Sequence, residues 1–246
     1  MVNDKRLCAH TEYYRTLADT KRWRFLKDVE YMIKESEYRM RKAGINNTHT
    51  VLRNMAIGCL LYITGARVSE ITDIKLKDLM IYETRLHEKF MSFDLINRKN
   101  KKQKFKRVIG NFKNEKYFIN LIYKHYKQRV ADCFIDLNAK KLIYGQYDNE
   151  SEDIMYVLDQ YLFTSARAKD NNTKMCKDWF GITCKRAFHV NAHTFRKIRL
   201  THLVIHYGMS AKEIQNFAGH SGISSAEPYV NITNKDFEAK MNFIAR

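Results

Sequence analysis

Proline is almost absent from this chain, which has one among its 246 residues. Disordered segments are typically rich in proline and poor in apolar residues, whereas 45% of the residues here are hydrophobic. A chain of this length can bury a real core, as one large domain or two small ones. We therefore expect a globular and mostly helical protein.

The sequence also lacks paired cysteines, a signal peptide and a long apolar run. Its N-terminus is charged and has no apolar h-region, and no stretch reaches the ~18 apolar residues of a membrane span. An odd, scattered set of cysteines indicates reduced thiols. We expect a soluble, cytoplasmic protein that makes no membrane contact. The five cysteines are Cys8, Cys59, Cys133, Cys176 and Cys184.

Three common catalytic motifs are missing. His87-Glu88 is followed by Lys89, Phe90 and Met91, so it is not the H-E-x-x-H of zinc proteases. No G-x-x-x-x-G-K-[ST] loop indicates ATP use, and residues 219–223 lack the final glycine of a nucleophile elbow. The sequence thus indicates neither a metal site nor a cofactor.

Acidic residues are too few to balance the basic ones. The chain has 44 Lys and Arg against 27 Asp and Glu, a formal net charge of +17. Such an excess favours a polyanionic partner, most simply nucleic acid. A basic protein without such a partner has the same composition, so charge alone leaves both interpretations open.

Apolar periodicity predicts a mainly α chain with a small antiparallel β-sheet. Helices are expected at about 20–43, 50–64, 115–130 and 194–207. A capping box, Ser210-Ala211-Lys212-Glu213, opens one more helix, which ends at Gly219. The polar segment 132–153 is expected to be an insertion or a long loop. Strands are expected near 79–82, 90–96 and 105–109, the last two flanking a very basic turn.

The residues with chemical potential occur in two parts of the chain. The last quarter contains His193-Thr194-Phe195-Arg196, then Gly219-His220-Ser221, then Tyr229. Far upstream, an apolar helix is followed by Thr64-Gly65-Ala66-Arg67-Val68-Ser69-Glu70. Each piece alone has an ordinary explanation: a surface histidine, a helix-capping glycine, a packing tyrosine or a solvated arginine.

Together these residue types fit metal-free cleavage of a phosphodiester. Such a reaction needs a nucleophile, cations on the non-bridging oxygens and an acid for the leaving oxygen. Tyrosine has a free pKa near ~10, so Tyr229 is a credible nucleophile only inside a cluster of cations. Arg67 and Arg196 suit the phosphate clamp, because a guanidinium binds two oxygens at once. His193, one helical turn before Arg196, and His220 can complete it.

The order and spacing of these pieces resemble the tyrosine recombinase (phage integrase) family over residues 24–232, and Thr64 to Glu70 resembles the family's Thr-Gly-x-Arg-x-Ser-Glu phrase. The resemblance implies the fold of that family's catalytic domain, at 21–246 after a basic arm at 1–20. It implies that Arg67, His193, Arg196, His220 and Tyr229 are catalytic, and that an acidic residue such as Glu70 orients a cation.

The family also uses a lysine from a β-hairpin as general acid. Seven of the ten residues at 98–107 are basic, so the choice is ambiguous. We favour Lys99, because Lys99-Asn100-Lys101-Lys102 looks most like the family's Lys-Gly-Asn-Lys turn, and place Lys101 second. Further DNA contacts are expected from Lys101, Lys102, Lys104 and Lys197.

The chain departs from the family at two points. Only about twenty residues precede the catalytic-like region, where most relatives carry a separate helical domain that closes around the DNA. Lys197 stands where many relatives have a second histidine, and we interpret it as a phosphate contact.

The resemblance implies a site-specific recombinase or integrase that acts on double-stranded DNA through a 3′-phosphotyrosyl link, without ATP or metal. Strand exchange needs several protomers, so we expect a dimer or tetramer on DNA, with residues 234–246 docking on a neighbour. The alternatives are a type IB topoisomerase or telomere resolvase, and a catalytically silent DNA-binding regulator of the same fold.

Overall fold

A computed structural model of the protein describes residues 26–45, 47–84, 88–96, 105–144, 150–165 and 173–230. This part of the chain is mainly helical with one small sheet, which confirms the expected fold class. The expected arm at 1–20 lies outside the described residues, so the division into arm and domain stays a prediction. The elements are α1 Leu26–Lys42, α2 Thr48–Thr64, α3 Val68–Ile71, β1 Leu79–Glu83, β2 Lys89–Ile96, β3 Phe105–Asn111, α4 Phe112–Tyr144, α5 Glu150–Leu158, α6 Lys177–Phe188, α7 Ala192–Tyr207 and α8 Ala211–Ala218, with short 3-10 helices at Leu76–Asp78 and Ile223–Ser225.

Helix α2 is the centre of the core. Every residue from Asn54 to Thr64 is buried, and α1, α4, α6 and α7 pack around this helix. A helix that is apolar on all sides belongs in an interior. The Asn47 side chain caps its start by accepting the Thr50 N–H at 3.1 Å. As the sequence predicts, helix α2 ends at Gly65, which has the left-handed conformation (φ 53°). Arg67 follows two residues later.

The sheet has the order β1-β2-β3 and is antiparallel throughout. Phe93 of β2 pairs with Leu79 of β1 and with Val108 of β3, and all three side chains are buried. The last pair of the hairpin joins Ile96 to Phe105. The two strands therefore end and begin where the sequence predicts, and the basic turn between them, residues 97–104, lies outside the described part of the chain.

The prediction of a long loop at 132–153 is wrong for the described residues of this segment, which are helical. Helix α4 continues to Tyr144, and α5 starts at Glu150. Cys133 and Leu137 are buried, and Val130 and Phe134 pack against the same core. These four residues follow the i, i+3, i+4, i+7 spacing of a helix face, which the polar composition of the segment obscured. None of the described helices is long and apolar enough to cross a bilayer.

Helices α7 and α8 have the ends that the sequence predicts. Gly208 ends α7 with φ 65°. Ser210 and Glu213 form the capping box: the Glu213 carboxylate accepts the Ser210 N–H at 2.8 Å, and Ser210 Oγ accepts the Glu213 N–H at 3.3 Å. Gly219 ends α8 with φ 64°, so His220 lies just beyond that helix.

A first prediction concerns the close approach of α2 and α6 at Gly58. A Cβ at this position would lie 2.6 Å from Cζ of the buried Phe188 ring. Although alanine favours helices, we expect Gly58→Ala to lower the free energy of unfolding by about 1–3 kcal/mol through overpacking. Gly181→Ala in α6 is the matched control, because no atom lies within 4 Å of its added Cβ. Urea denaturation of both variants tests this, and equal stabilities would contradict it.

A second prediction concerns the buried His125, whose Nε2 lies 3.1 Å from the Leu162 carbonyl and whose ring stacks on Phe163. Burial lowers the pKa of His125 to about 3. The folded state keeps the ring neutral while the unfolded state binds a proton below about pH 6.5, so stability is present above that pH and falls below it. Between pH 7.5 and 5 we expect this group to lower the free energy of unfolding by about 2 kcal/mol.

The matched variant for this prediction is His125→Gln, which keeps a side-chain donor but does not titrate. Denaturation curves at pH 7.5 and pH 5 should show a smaller loss of stability in the variant than in the wild type. The same pH dependence in both proteins would show that His125 does not contribute.

Candidate active site

Two helix ends meet at the centre of the candidate site. Gly65 ends α2 and Gly219 ends α8, both in the left-handed conformation. The last carbonyls of a helix lack partners within it and carry the negative end of the helix dipole. The carbonyls of Gly65 and Ala218 therefore form a place where a buried cation is stabilised.

Arg196 of α7 occupies that place. It is 2% exposed, and it donates from Nη1 to the Gly65 carbonyl at 2.5 Å and from Nη2 to the Ala218 carbonyl at 2.7 Å. Nη2 also lies 2.9 Å from Nε2 of His220. Since arginine has no acceptor, a hydrogen bond here requires His220 Nε2 to accept, which only the tautomer with its proton on Nδ1 can do. One guanidinium thus joins three segments that are distant in sequence.

The electrostatics of Arg196 place Arg67 and Tyr229 in the same region. Burial, with a smaller contribution from the charge of Arg67, lowers the pKa of Arg196 to about 10. Glu70 and Tyr229 act on that pKa in the opposite direction. Arg196 still carries its charge at neutral pH, so the site holds two neighbouring guanidinium ions. Two such cations are suited to a doubly anionic or transition-state phosphate.

Arg67 is held by a carboxylate one turn further along the chain. Glu70 accepts from Arg67 Nη1 at 2.8 Å and from the Arg67 backbone N–H at 2.9 Å. The Glu70 side chain is almost fully buried, whereas that of Arg67 is 20% exposed. Glu70 was expected to orient a cation, and its carboxylate contacts the Arg67 guanidinium. This arrangement leaves one part of a fixed guanidinium accessible from solvent.

Tyr229 packs against α7, which carries Arg196, and against α8, whose end precedes His220. Residues 227–230 are helical, and the Tyr229 ring is 7% exposed. It packs in a small apolar cluster between α7 and α8, which includes Leu203 and Ile214. The phenol is therefore anchored to the two elements that carry the arginine and the histidine.

His193 and Lys197 lie on α7 on either side of Arg196. His193, the second residue of the helix, is exposed, whereas Lys197 is buried. The four candidate lysines of the hairpin, Lys99, Lys101, Lys102 and Lys104, fall outside the described residues. The choice of general acid among them stays open, and only the paired strands at the base of the hairpin are described.

Nothing in the sequence predicted the two backbone carbonyls that hold Arg196, or the pairing of another buried arginine of α7, Arg199, with Glu115. The position of Arg199, one turn after Arg196 on a largely apolar helix, could have indicated a buried charge. No local pattern, however, connects Arg199 to residue 115. Within the described ranges, no group of three or more His, Cys, Asp or Glu residues could hold a metal ion.

Most of the chain is similar to known proteins. The family model described as "Phage integrase family" matches residues 27–236. The tyrosine recombinase XerC of Treponema denticola is 24% identical over 199 residues, which cover 76% of this chain and 54% of the relative. XerC of Bacillus subtilis is 26% identical over 186 residues, covering 75% and 51%. The chain spans about half the length of the curated relatives it matches.

Solved structures share the fold. A pre-cleavage complex of the XerH site-specific recombinase with its difH substrate matches with a TM-score of 0.55 at 14% identity, covering 83% of this chain and 48% of that one. A post-cleavage XerH complex with palindromic difH matches with a TM-score of 0.57 at 13% identity, covering 90% and 52%. At such low identity these likenesses concern the fold alone.

Proposed function

Since this chain belongs to the phage integrase family, we propose that it cleaves and rejoins DNA at specific sites through a covalent link to Tyr229. The observation that carries the proposal is the set of contacts of Arg196. This one side chain joins the turn that presents Arg67 to the end of α8 and to His220, while Tyr229 packs on the same two helices. A nucleophile beside a cluster of phosphate-binding cations is what metal-free phosphoryl transfer requires.

In the proposed reaction the Tyr229 hydroxyl loses its proton to water, and the resulting phenolate oxygen, stabilised by the neighbouring cations, attacks the scissile phosphorus. A bond forms between phosphorus and the phenolic oxygen, and the bond to the 5′ oxygen breaks with its electron pair on that oxygen. Arg67 and Arg196 hold the non-bridging oxygens, with hydrogen bonds from His193 and His220. A hairpin lysine, Lys99 or Lys101, protonates the leaving 5′ oxygen.

The reverse reaction with a different strand completes the exchange. The 5′-hydroxyl of a partner strand gives its proton back to the hairpin lysine and attacks the 3′-phosphotyrosyl link, and Tyr229 leaves with the electron pair as a phenolate that takes up a proton from water. One phosphodiester replaces another, so the bond energy is retained and ATP is not required. The net charge of +17 supports attraction to the DNA backbone, and DNA affinity is expected to fall steeply with salt.

Exchange between two sites requires more than one protomer, and we propose that the chain self-associates on DNA as a dimer or tetramer. Residues 234–246 include Phe237, Met241 and Phe243, which are suited to docking on a neighbour. Deleting residues 235–246 is expected to weaken assembly on DNA, measured by light scattering of protein–DNA complexes. Unchanged assembly would assign it to another surface.

Covalent trapping tests the chemistry. The protein is mixed with nicked suicide duplexes built from the sequences that flank its gene, and the products are separated on a denaturing gel. We expect a protein–DNA adduct that survives denaturation. DNA binding without an adduct would support the silent regulator instead. Relaxation of a supercoiled plasmid by monomers without paired sites would support the topoisomerase alternative.

A further inference from the structure

A buried ion pair joins α7 to α4 one helical turn beyond Arg196. Arg199 and Glu115 are 4% and 3% exposed, and Arg199 Nη1 lies 2.5 Å from Glu115 Oε1. Burial alone would lower the pKa of Arg199, but the Glu115 carboxylate offsets this effect and the pKa is raised. Removing two charges from water costs free energy that an apolar pair would not, so stability alone is a weak reason for this pair.

Arg199 packs against the end of α2. The side of Gly65 from which a side chain would project faces the Arg199 stem, because a Cβ there would lie 3.5 Å from Arg199 Cγ. The Arg199 guanidinium lies 5.4 Å from the centre of the ring of Tyr62, which belongs to the last turn of the same helix. Arg199 therefore supports the turn whose carbonyl accepts from Arg196 Nη1.

Arg199 also packs against the end of α8. Its guanidinium lies 6.0 Å from the centre of the Phe217 ring. Phe217 directly precedes Ala218, whose carbonyl is the second acceptor for Arg196. The Phe217 ring would itself lie 3.1 Å from a Cβ at Gly65, so it packs on the end of α2 as well. Arg199 is thus in contact with both helix ends that hold Arg196.

Glu115 fixes the other end of the Arg199 side chain. An arginine stem has several rotatable bonds, so it forms a rigid packing surface only where its guanidinium is held. The Glu115 carboxylate holds it from the first turn of α4, a helix that packs along α2. The ion pair therefore makes the Arg199 stem a fixed support between the two helix ends.

We propose that Arg199, held by Glu115, is a positioning residue for Arg196: it sets the two helix ends whose carbonyls orient the Arg196 guanidinium towards the scissile phosphate. The inference rests on the proposed function. Arg67 follows Gly65 by two residues, so a shift of that turn displaces both guanidinium ions of the site. A displacement of about 1 Å can slow a reaction about 10²-fold, even when the altered residue does not touch the substrate.

The test replaces both charges with apolar side chains of similar size, Glu115→Leu with Arg199→Met. Apolar replacement of a buried pair commonly preserves or raises stability, so we expect a melting temperature and a DNA affinity close to those of the wild type. At saturating protein, adduct formation on the ordinary suicide substrate should be about 10²-fold slower but should reach the same final yield. A folding defect would lower the yield instead. The matched control is Glu37→Leu with Arg41→Met, an exposed pair on α1 that should cleave normally.

A second substrate separates displacement of the arginines from other defects. Its scissile phosphate carries a methyl group in place of one non-bridging oxygen and is therefore uncharged. Attack by Tyr229 forms the same bond to phosphorus, and the bond to the 5′ oxygen breaks with its electron pair on that oxygen, which is protonated as before. The guanidinium ions have one negative charge less to stabilise, so the double variant should cleave within about threefold of the wild-type rate. A defect in the nucleophile or in the acid would slow both substrates.

Each outcome decides the matter. A wild-type rate on the ordinary substrate, or an equal slowing on the methylated one, would overturn the positioning role. If the wild type cleaves only the ordinary substrate, the double variant is combined with Arg196→Lys: an added loss within about threefold supports the role, and losses that multiply overturn it. If the double variant fails to fold, Glu115→Gln takes its place, because it keeps an acceptor without the charge. If the wild type forms no adduct on either substrate, the proposed function fails, and not this role alone.

Discussion

Tyr229→Phe is expected to remove the covalent protein–DNA adduct, with a loss of at least about 10³-fold, because the substitution deletes the only atom that can form the phosphotyrosyl bond. The ring remains, and it is the ring that packs between α7 and α8. The variant should therefore fold and bind DNA as the wild type does. Denaturing gels with a nicked duplex measure the adduct, and a binding assay on the same DNA measures the affinity.

The matched control is Tyr31→Phe, since Tyr31 is 67% exposed on α1 and has no assigned role. This variant should form the adduct at the wild-type rate. An adduct that persists in Tyr229→Phe would assign the nucleophile to another of the 15 tyrosines or to a different residue type. Loss of DNA binding together with the adduct would instead indicate a structural defect.

Arg196→Lys is expected to have the next largest effect. Lysine keeps the positive charge, but its ammonium cannot reproduce the planar fork that reaches the Gly65 and Ala218 carbonyls and His220 together. At least one buried acceptor is left unpaired, at a cost of about 1–3 kcal/mol in the free energy of unfolding. Cleavage should slow by at least about 10²-fold, since a preorganised phosphate donor is displaced.

Two measurements separate these effects. Urea denaturation gives the change in stability, and single-turnover adduct formation, at a temperature where the variant is fully folded, gives the change in rate. Arg41→Lys on α1 is the control, because its exposed pair with Glu37 contributes little to stability. A variant that is destabilised but cleaves normally would show that Arg196 supports only the fold.

Much of the helix framework could be predicted from local signals. The left-handed glycines at 65, 208 and 219 end helices where the sequence indicates, and the capping box at Ser210 opens α8. Each signal depends on backbone groups within a few residues, so it can be read without the rest of the chain. The prediction of a loop at 132–153 was wrong because the polar composition of this segment hides the apolar spacing along one face of α4.

The sequence by itself determined the family, the helical class and the ordered set of candidate residues, because these depend on residue type and spacing along the chain. Only the tertiary structure decided which atoms meet. Arg196 is bound to a carbonyl 131 residues earlier in the chain, and Arg199 is paired with Glu115 across two helices. Backbone carbonyls have no residue-specific signature, and a buried ion pair between distant residues depends on how helices pack. Local patterns carry no information about either, so these contacts appear only once the chain is folded.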